Sequence, residues 1–230
     1  MGAVIDSPYT FIWVLTGRGL GKTFGCLDKL REKSLEDPDQ KFMYFRRLQA
    51  QIDVVAKPEF SPFKKVDRVR QYVTTARSIS KNTFGFYDGD RLLGYAGALS
   101  TFVNLRGFDG SDISYILYEE AIPKISERSI PHEFEALMDA YETINRNREI
   151  DEGKPPVKLI CIGNKRITGN SKISRIIVCT RNYILILLKH IKRITLLGIS
   201  RQKLIVRRKS INLLRCSRRK NAPQHKHTHG

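Results

Sequence analysis

The residues Thr16-Gly17-Arg18-Gly19-Leu20-Gly21-Lys22-Thr23 have the types and order needed to hold a chain of phosphates. Closely spaced glycines let the backbone wrap an anion with its N–H groups pointing inward. A helix opening at Gly21–Lys22 would add the partial positive charge of its N-terminus. Lys22 could then reach the β and γ phosphates of a nucleoside triphosphate, and the Thr23 hydroxyl could ligate Mg²⁺. The usual spacing has glycine six residues before the lysine, where this chain carries Thr16. A structural glycine turn is the rival reading. A dinucleotide fingerprint fits poorly, because Gly17-x-Gly19 is followed by Gly21-Lys22-Thr23 and not by x-x-Gly.

Ser114-Tyr115-Ile116-Leu117-Tyr118-Glu119-Glu120 reads as a buried strand that delivers two carboxylates at its C-terminal end. In a parallel sheet that end lies beside the ligand. Glu119 occupies the place of a Mg²⁺-holding aspartate and is one methylene longer. Glu120 takes the place of the carboxylate that polarises an attacking water. Alone, the pair would be a solvated strand end; a phosphate loop upstream favours chemistry. Leu159–Asn164 is a further buried strand, and its terminal Asn164 could sense a γ-phosphate, although Gly163-Asn164 is equally a turn signal. Arg146, in Asn145-Arg146-Asn147-Arg148-Glu149, ends a helical stretch. A cation there ordinarily complements the helix dipole, and it could also reach a nucleotide in a neighbouring subunit.

These residues need a frame of strands and helices. Phe11–Leu15 is short, apolar and β-branched, as befits a buried strand entering a loop. A helix is expected from Gly21–Lys22 to about Lys33, before the turn signal Glu36-Asp37-Pro38-Asp39. Lys41–Arg46 reads as a second strand. Thr83–Tyr87 and Leu92–Ala96 flank the hairpin signal Asp88-Gly89-Asp90. Tyr115–Tyr118 and Val157–Ile162 are further strands. Between them Pro131–Arg148 carries Phe134, Leu137, Met138, Tyr141 and Ile144 at helical spacing. Strands separated by helices predict a mostly parallel sheet between helical layers.

Charge divides the chain. There are 41 Lys and Arg against 23 Asp and Glu, a net charge of +18, yet Gly153–Gly230 contains no acidic residue. Such an excess attracts a polyanion, most simply nucleic acid. Cys26, Cys161, Cys179 and Cys216 follow no metal spacing and read as reduced thiols, with Cys161 buried in a strand. No signal peptide is evident, and the apolar run Tyr183–Leu188 is cut short by Lys189, Lys192 and Arg193, so no membrane association is expected. His225, His227 and His229 read as part of a solvated tail.

Phe11–Phe24, Phe42–Arg47, Phe84–Leu99, Tyr115–Ala121, Asn145–Glu149 and Leu159–Asn164, in this order, resemble the DNA-encapsidation (packaging) ATPase of small protein-primed tailed phages, a relative of terminase large subunits. The resemblance spans roughly Tyr9 to Asn164, and within that family Thr16 and Arg18 are a known variant of the phosphate loop. It implies a RecA-like P-loop NTPase of the additional-strand, catalytic-glutamate class that uses ATP and Mg²⁺. Its partners would be double-stranded DNA, further copies of itself in a ring (a pentamer), the capsid portal and, in some members, a packaging RNA. The implied place is the host cytoplasm, transiently at the portal vertex of the procapsid. Carried over, Thr16 to Thr23 bind nucleotide, with Lys22 also catalytic; Thr23 and Glu119 hold Mg²⁺, partly through water; Glu120 activates water. Arg146 is a trans-acting finger, Asn164 a coupling residue, and Arg46 with Arg47 contact nucleotide or DNA.

The expected function is an ATP-hydrolysing motor that moves viral double-stranded DNA into a preformed capsid. The alternative is a nucleic-acid-binding P-loop protein that is a truncated, motor-inactive remnant. A small-molecule kinase is a poor fit, since no acceptor-site lid is evident. The expected division is an ATPase domain over residues 1–168 and a basic tail over 169–230, where the family would continue into a nuclease-like domain. Two-metal nuclease chemistry needs clustered carboxylates. The tail has none, so no nuclease activity is expected, and the tail reads as a truncated or out-of-frame ending. Sequencing the gene checks this: a nuclease-like continuation should appear in a neighbouring frame just after the Asn164 codon. Its absence would make the tail a genuine basic extension.

Overall fold

The computed structural model describes residues 1–102, 108–123, 127, 130–146, 148–164, 183–187 and 195–198. Cys179, Cys216 and the three terminal histidines lie outside them. Among the described residues the helices are α1 (Gly2–Ile5), α2 (Lys22–Glu36), α3 (Gln49–Val55), α4 (Lys64–Arg70), α5 (Leu99–Phe102), α6 (Glu133–Asn145) and α7 (Arg148–Asp151). The strands are β1 (Phe11–Thr16), β2 (Lys41–Arg46), β3 (Thr74–Ser80), β4 (Thr83–Asp88), β5 (Arg91–Ala98), β6 (Ile113–Tyr118), β7 (Lys158–Asn164), β8 (Tyr183–Leu187) and β9 (Thr195–Gly198).

They form one mixed sheet in the order β3-β4-β5-β2-β6-β7-β1-β8-β9. From β5 to β8 every neighbouring pair is parallel, and β3, β4 and β9 add antiparallel edges. Parallel neighbours need crossovers, which the helices supply on both faces. The two apolar clusters follow the period of two along each strand. Ile12, Val14, Phe42, Tyr44, Leu117, Ile160 and Ile162 face α2, α3 and α4, meeting Cys26, Leu27, Leu30, Ile52, Val55 and Val66. Trp13, Leu15, Met43, Phe45, Ile116, Tyr118, Leu159 and Cys161 face the other way, onto Leu99, Phe102, Leu137, Tyr141 and Ile144 of α5 and α6.

Each expected strand and helix is present within a few residues. The helix read over Pro131–Arg148 is α6, and it stops at Arg146, whose φ of 33° is left-handed. The hairpin forms as expected, with Gly89 at φ 59° between β4 and β5. Several short elements have no counterpart among the sequence expectations, α3, α4 and β3 among them. The edge strand β3 is polar and mostly exposed, so it offers no alternating apolar signal. Likewise the run Tyr183–Leu187, short of a membrane span, pairs parallel to β1 as β8. No helix among the described residues is long and apolar enough to cross a membrane. Cys26 and Cys161 are free and buried, and burial pushes the Cys26 thiol up to about 12.

Arg47, expected to contact nucleotide or DNA, is instead buried and engaged by carboxylates of its own chain. Arg46, the last residue of β2, lies on the α2 face, and Arg47, just beyond the strand, turns to the α6 face, where its side chain has no exposure at all. Arg47 donates from Nε and NH2 to the two carboxylate oxygens of Glu133, at 2.7 and 2.8 Å, and from NH1 to Glu127 at 3.1 Å. Tyr118 donates to the same Glu133 at 2.6 Å. Arg47 thus clamps the end of β2 to the start of α6. Removing one partner of a buried, hydrogen-bonded ion pair strands the other's charge. Arg47→Met is therefore expected to cost about 3–5 kcal/mol of stability, read as a lower urea midpoint with an unchanged slope.

Candidate active site

The C-terminal ends of β1, β7, β6 and β2 converge because the strands are parallel and adjacent. After β1 the chain turns through 17–21 into α2, with Gly19 at φ 79° and Gly21 at φ 71°. A Cβ at either position would meet nothing within 4 Å. Backbone conformation, not space, is what calls for glycine there. Register sets Thr16 beside Asn164 across β1 and β7. Lys22 sits at the first turn of α2, buried, and donates from Nζ to the Gly17 carbonyl at 2.9 Å and to Asn164 Oδ1 at 3.1 Å. Burial lowers the Lys22 pKa, while the charge of Glu119 works against that shift.

Beyond β6 the backbone N–H of Glu119 still donates to Phe45 of β2, at 2.9 Å. Glu120 then takes a left-handed φ of 55°, and Ala121 crosses to donate to Ile162 of β7 at 2.9 Å. A non-glycine residue in that conformation costs about 1–2 kcal/mol. Here it turns the Glu120 side chain to the mouth of the same cavity that Glu119 lines.

The Glu119 carboxylate has separate partners for its two oxygens. Thr23 donates to Oε1. Tyr44 donates to Oε2, and the Arg46 guanidinium meets Oε2 at 3.0 Å. Arg46 also reaches Glu120 Oε2 at 2.8 Å and donates from Nε to the Tyr44 hydroxyl at 2.8 Å. Burial opposes the Arg46 charge, but Tyr44, Glu119 and Glu120 more than offset it, so its pKa is raised. Burial, reinforced by the neighbouring Glu119, pushes the Tyr44 hydroxyl well above its ordinary value and keeps it protonated.

Lys22, Thr23, Glu119, Glu120 and Asn164 line a cavity of about 330 Å³, together with Arg18, Leu20, Phe24 and Gly163, while Tyr44 and Arg46 stand behind the carboxylates. It is open, and both the loop residues and the two carboxylates line it. A Thr hydroxyl hydrogen-bonded to a carboxylate oxygen is a hard-oxygen pair of the kind Mg²⁺ takes. Lys22 now spends its protons on a carbonyl and an amide, partners that a phosphate oxygen would replace. The residues therefore fit a magnesium-bound nucleoside triphosphate.

Of the residues singled out in the sequence, Arg18 to Thr23, Glu119, Glu120 and Asn164 line this one cavity. Thr16 lies at its base, fully buried, its hydroxyl donating to Gly17 at 3.0 Å. Arg46 joins the site through the carboxylates and not through open solvent. Arg146 does not join it. The end of α6 packs at the start of β6 and β7: Asn145 accepts from the Val157 N–H at 2.8 Å, and Arg148 donates to the Ile113 carbonyl. The length of β6 puts Arg146 on the order of 15–20 Å from the cavity, at the opposite end of the sheet. Two residues escaped the sequence reading. Tyr44 shares the strand face of Arg46, a period-two signal that was available. Lys65 reaches the cavity from α4, a helix that itself was not anticipated.

The chain is similar in fold to several solved structures. It superposes on the N-terminal domain of the DNA packaging ATPase from bacteriophage phi29 with a TM-score of 0.63 and 19% identity, covering 80% of this chain and 92% of that domain. It matches the Phi-28 gp11 DNA packaging motor at 0.58 and 20% identity, covering 82% of this chain and 59% of the other. A match to the bacteriophage Phi-29 viral genome packaging motor assembly has a TM-score of 0.57 and 20% identity, covering 76% and 49%. The chain thus spans only about half of the length of the chains in those two assemblies. No curated protein sequence matches it. The model of the podovirus DNA encapsidation protein (Gp16) family matches residues 5–173, most of the chain, and the protein belongs to that family.

Proposed function

We propose that this protein is an ATP-hydrolysing motor that drives double-stranded viral DNA into a preformed capsid. The observation that carries the reading is the convergence of Lys22, Thr23, Glu119 and Glu120 on one cavity at the ends of parallel strands. The position of β7 between β1 and β6 supports a RecA-like ATPase of the additional-strand, catalytic-glutamate class. Residues 1–168 carry every residue of the proposed ATPase site, and the sheet of that domain continues into the basic segment 169–230 through β8 and β9.

In this reading the N–H groups of residues 17–22 cradle the phosphates of ATP, and Lys22 exchanges its present partners for phosphate oxygens. Thr23 and Glu119 would hold Mg²⁺, which when bound would neutralise charge on the phosphoryl oxygens. A water oxygen attacks the γ-phosphorus, its proton passes to Glu120, and the bond to the bridging oxygen breaks to release ADP. Arg46 keeps both carboxylates in place beforehand. Asn164, bonded to Lys22, would register the presence of the γ-phosphate and pass it to β7.

Arg146 lies too far from the cavity of its own chain to act there, which favours action on a neighbour's nucleotide. This accords with a homo-oligomeric ring, a pentamer, at the portal, in the cytoplasm of the host. DNA would be held through its phosphates, without sequence preference.

Hydrolysis stimulated by DNA is the direct test. Glu120→Gln should lower it by roughly 10²–10⁴-fold, and Arg146→Ala by about 10³-fold or more. A wild-type rate no greater than that of Glu120→Gln would remove the motor reading and leave the nucleic-acid-binding alternative. Mixing the two variants separates cis from trans. Arg146→Ala subunits keep an intact cavity, and Glu120→Gln subunits can still lend Arg146, so mixed rings should regain activity that neither variant shows alone. No recovery would place the action of Arg146 elsewhere.

A further inference from the structure

We propose that Tyr44 is a positioning residue that fits a glutamate to a metal-binding place where an aspartate is usual. The inference rests on the proposed magnesium site at Thr23 and Glu119. A glutamate carries an extra rotatable bond, and a free carboxylate there could swing away from Thr23 or turn either oxygen towards it. The structure removes that freedom. Tyr44 is fully buried in the α2-facing core, its ring edge-on to Phe86 with centroids 6.0 Å apart, so its hydroxyl has one place to be. That hydroxyl accepts from Arg46 Nε at 2.8 Å, which leaves its proton directed at Glu119 Oε2. Arg46 NH2 meets the same oxygen at 3.0 Å. With Oε2 anchored twice, Oε1 alone is presented to Thr23.

The span is matched to glutamate. The Glu119 backbone is fixed by its hydrogen bond to Phe45, at 2.9 Å. From that backbone position an aspartate, shorter by one methylene, would not reach Tyr44 and Thr23 together. Removing an outer-shell partner that orients a metal ligand typically costs about 10–100-fold in metal affinity. Tyr44 is such a partner for Glu119.

The test uses the full chain and ADP, titrated calorimetrically with MgCl₂ or with EDTA. The quantity read is the ratio of ADP affinity with the metal to that without it. Tyr44→Phe keeps the ring and removes only the hydroxyl; it should reduce this ratio roughly 10-fold. Glu119→Asp, which installs the usual residue, should also reduce it, because the shorter chain loses Tyr44. Circular dichroism establishes that each variant folds, and Glu119→Asp carries the test if Tyr44→Phe does not. A ratio in Tyr44→Phe equal to wild type, or a ratio in Glu119→Asp at or above wild type, overturns the inference while the site stands. Wild-type protein that binds ADP no more tightly with magnesium, or binds it equally after Lys22→Ala, overturns the proposed site and the inference with it.

Discussion

The carboxylate of Glu119 is the tie on which the site depends. It accepts from Thr23 at the start of α2, from Tyr44 within β2 and from Arg46 at the end of β2, while its own backbone continues β6. Three segments far apart in sequence are thereby fixed at one point. Such a charge is costly to bury alone, and here the cation and two hydroxyl donors supply what water would otherwise give. The arrangement also explains why β2, which carries no part of the phosphate loop, must lie beside β6. Only that neighbour can bring Tyr44 and Arg46 to the strand end.

A second tie, on the opposite face of the sheet, holds this frame in place. Arg47 joins the end of β2 to α6 through Glu133 and to the segment before it through Glu127, and Tyr118 of β6 shares Glu133. The last residue of β2 and the one that follows it thus serve opposite faces: Arg46 organises the cavity and Arg47 anchors the helical layer behind it. Both faces of β2 and β6 are buried, as their near-continuous apolar composition requires. The parallel sheet has a further consequence. It gathers the carboxylates and the phosphate loop at one end and leaves Arg146 at the other, a separation of one strand length. A ring of like subunits, in the proposed reading, is what would bring the two ends together.

Much of this was legible in the sequence. The phosphate loop has an unusually informative composition, because glycine adopts the left-handed backbone at 19 and 21 without the steric cost that other residues incur. The buried strands announce themselves through runs of Ile, Leu, Phe and Tyr, and α6 through its spacing of three and four. What stayed hidden had no such pattern. The edge strand β3 is polar, α3 and α4 are only seven residues each, and Lys65 is one lysine among many until α4 carries it to the cavity.

The sequence by itself determined the chemistry on offer: a phosphate loop, a hydroxyl, two carboxylates and an amide, each at the end of a recognisable element. Those are local properties, set by residue type and by spacing within a few positions. Only the tertiary structure decided which of two adjacent arginines meets the carboxylates, that Tyr44 meets them too, and that Arg146 stands apart from them. Those outcomes depend on which strand lies next to which and on which face of the sheet each side chain takes. Neighbouring strands are chosen by burial and hydrogen bonding over the whole domain, so residues 75 positions apart, such as Tyr44 and Glu119, carry no mark of their pairing in the sequence between them.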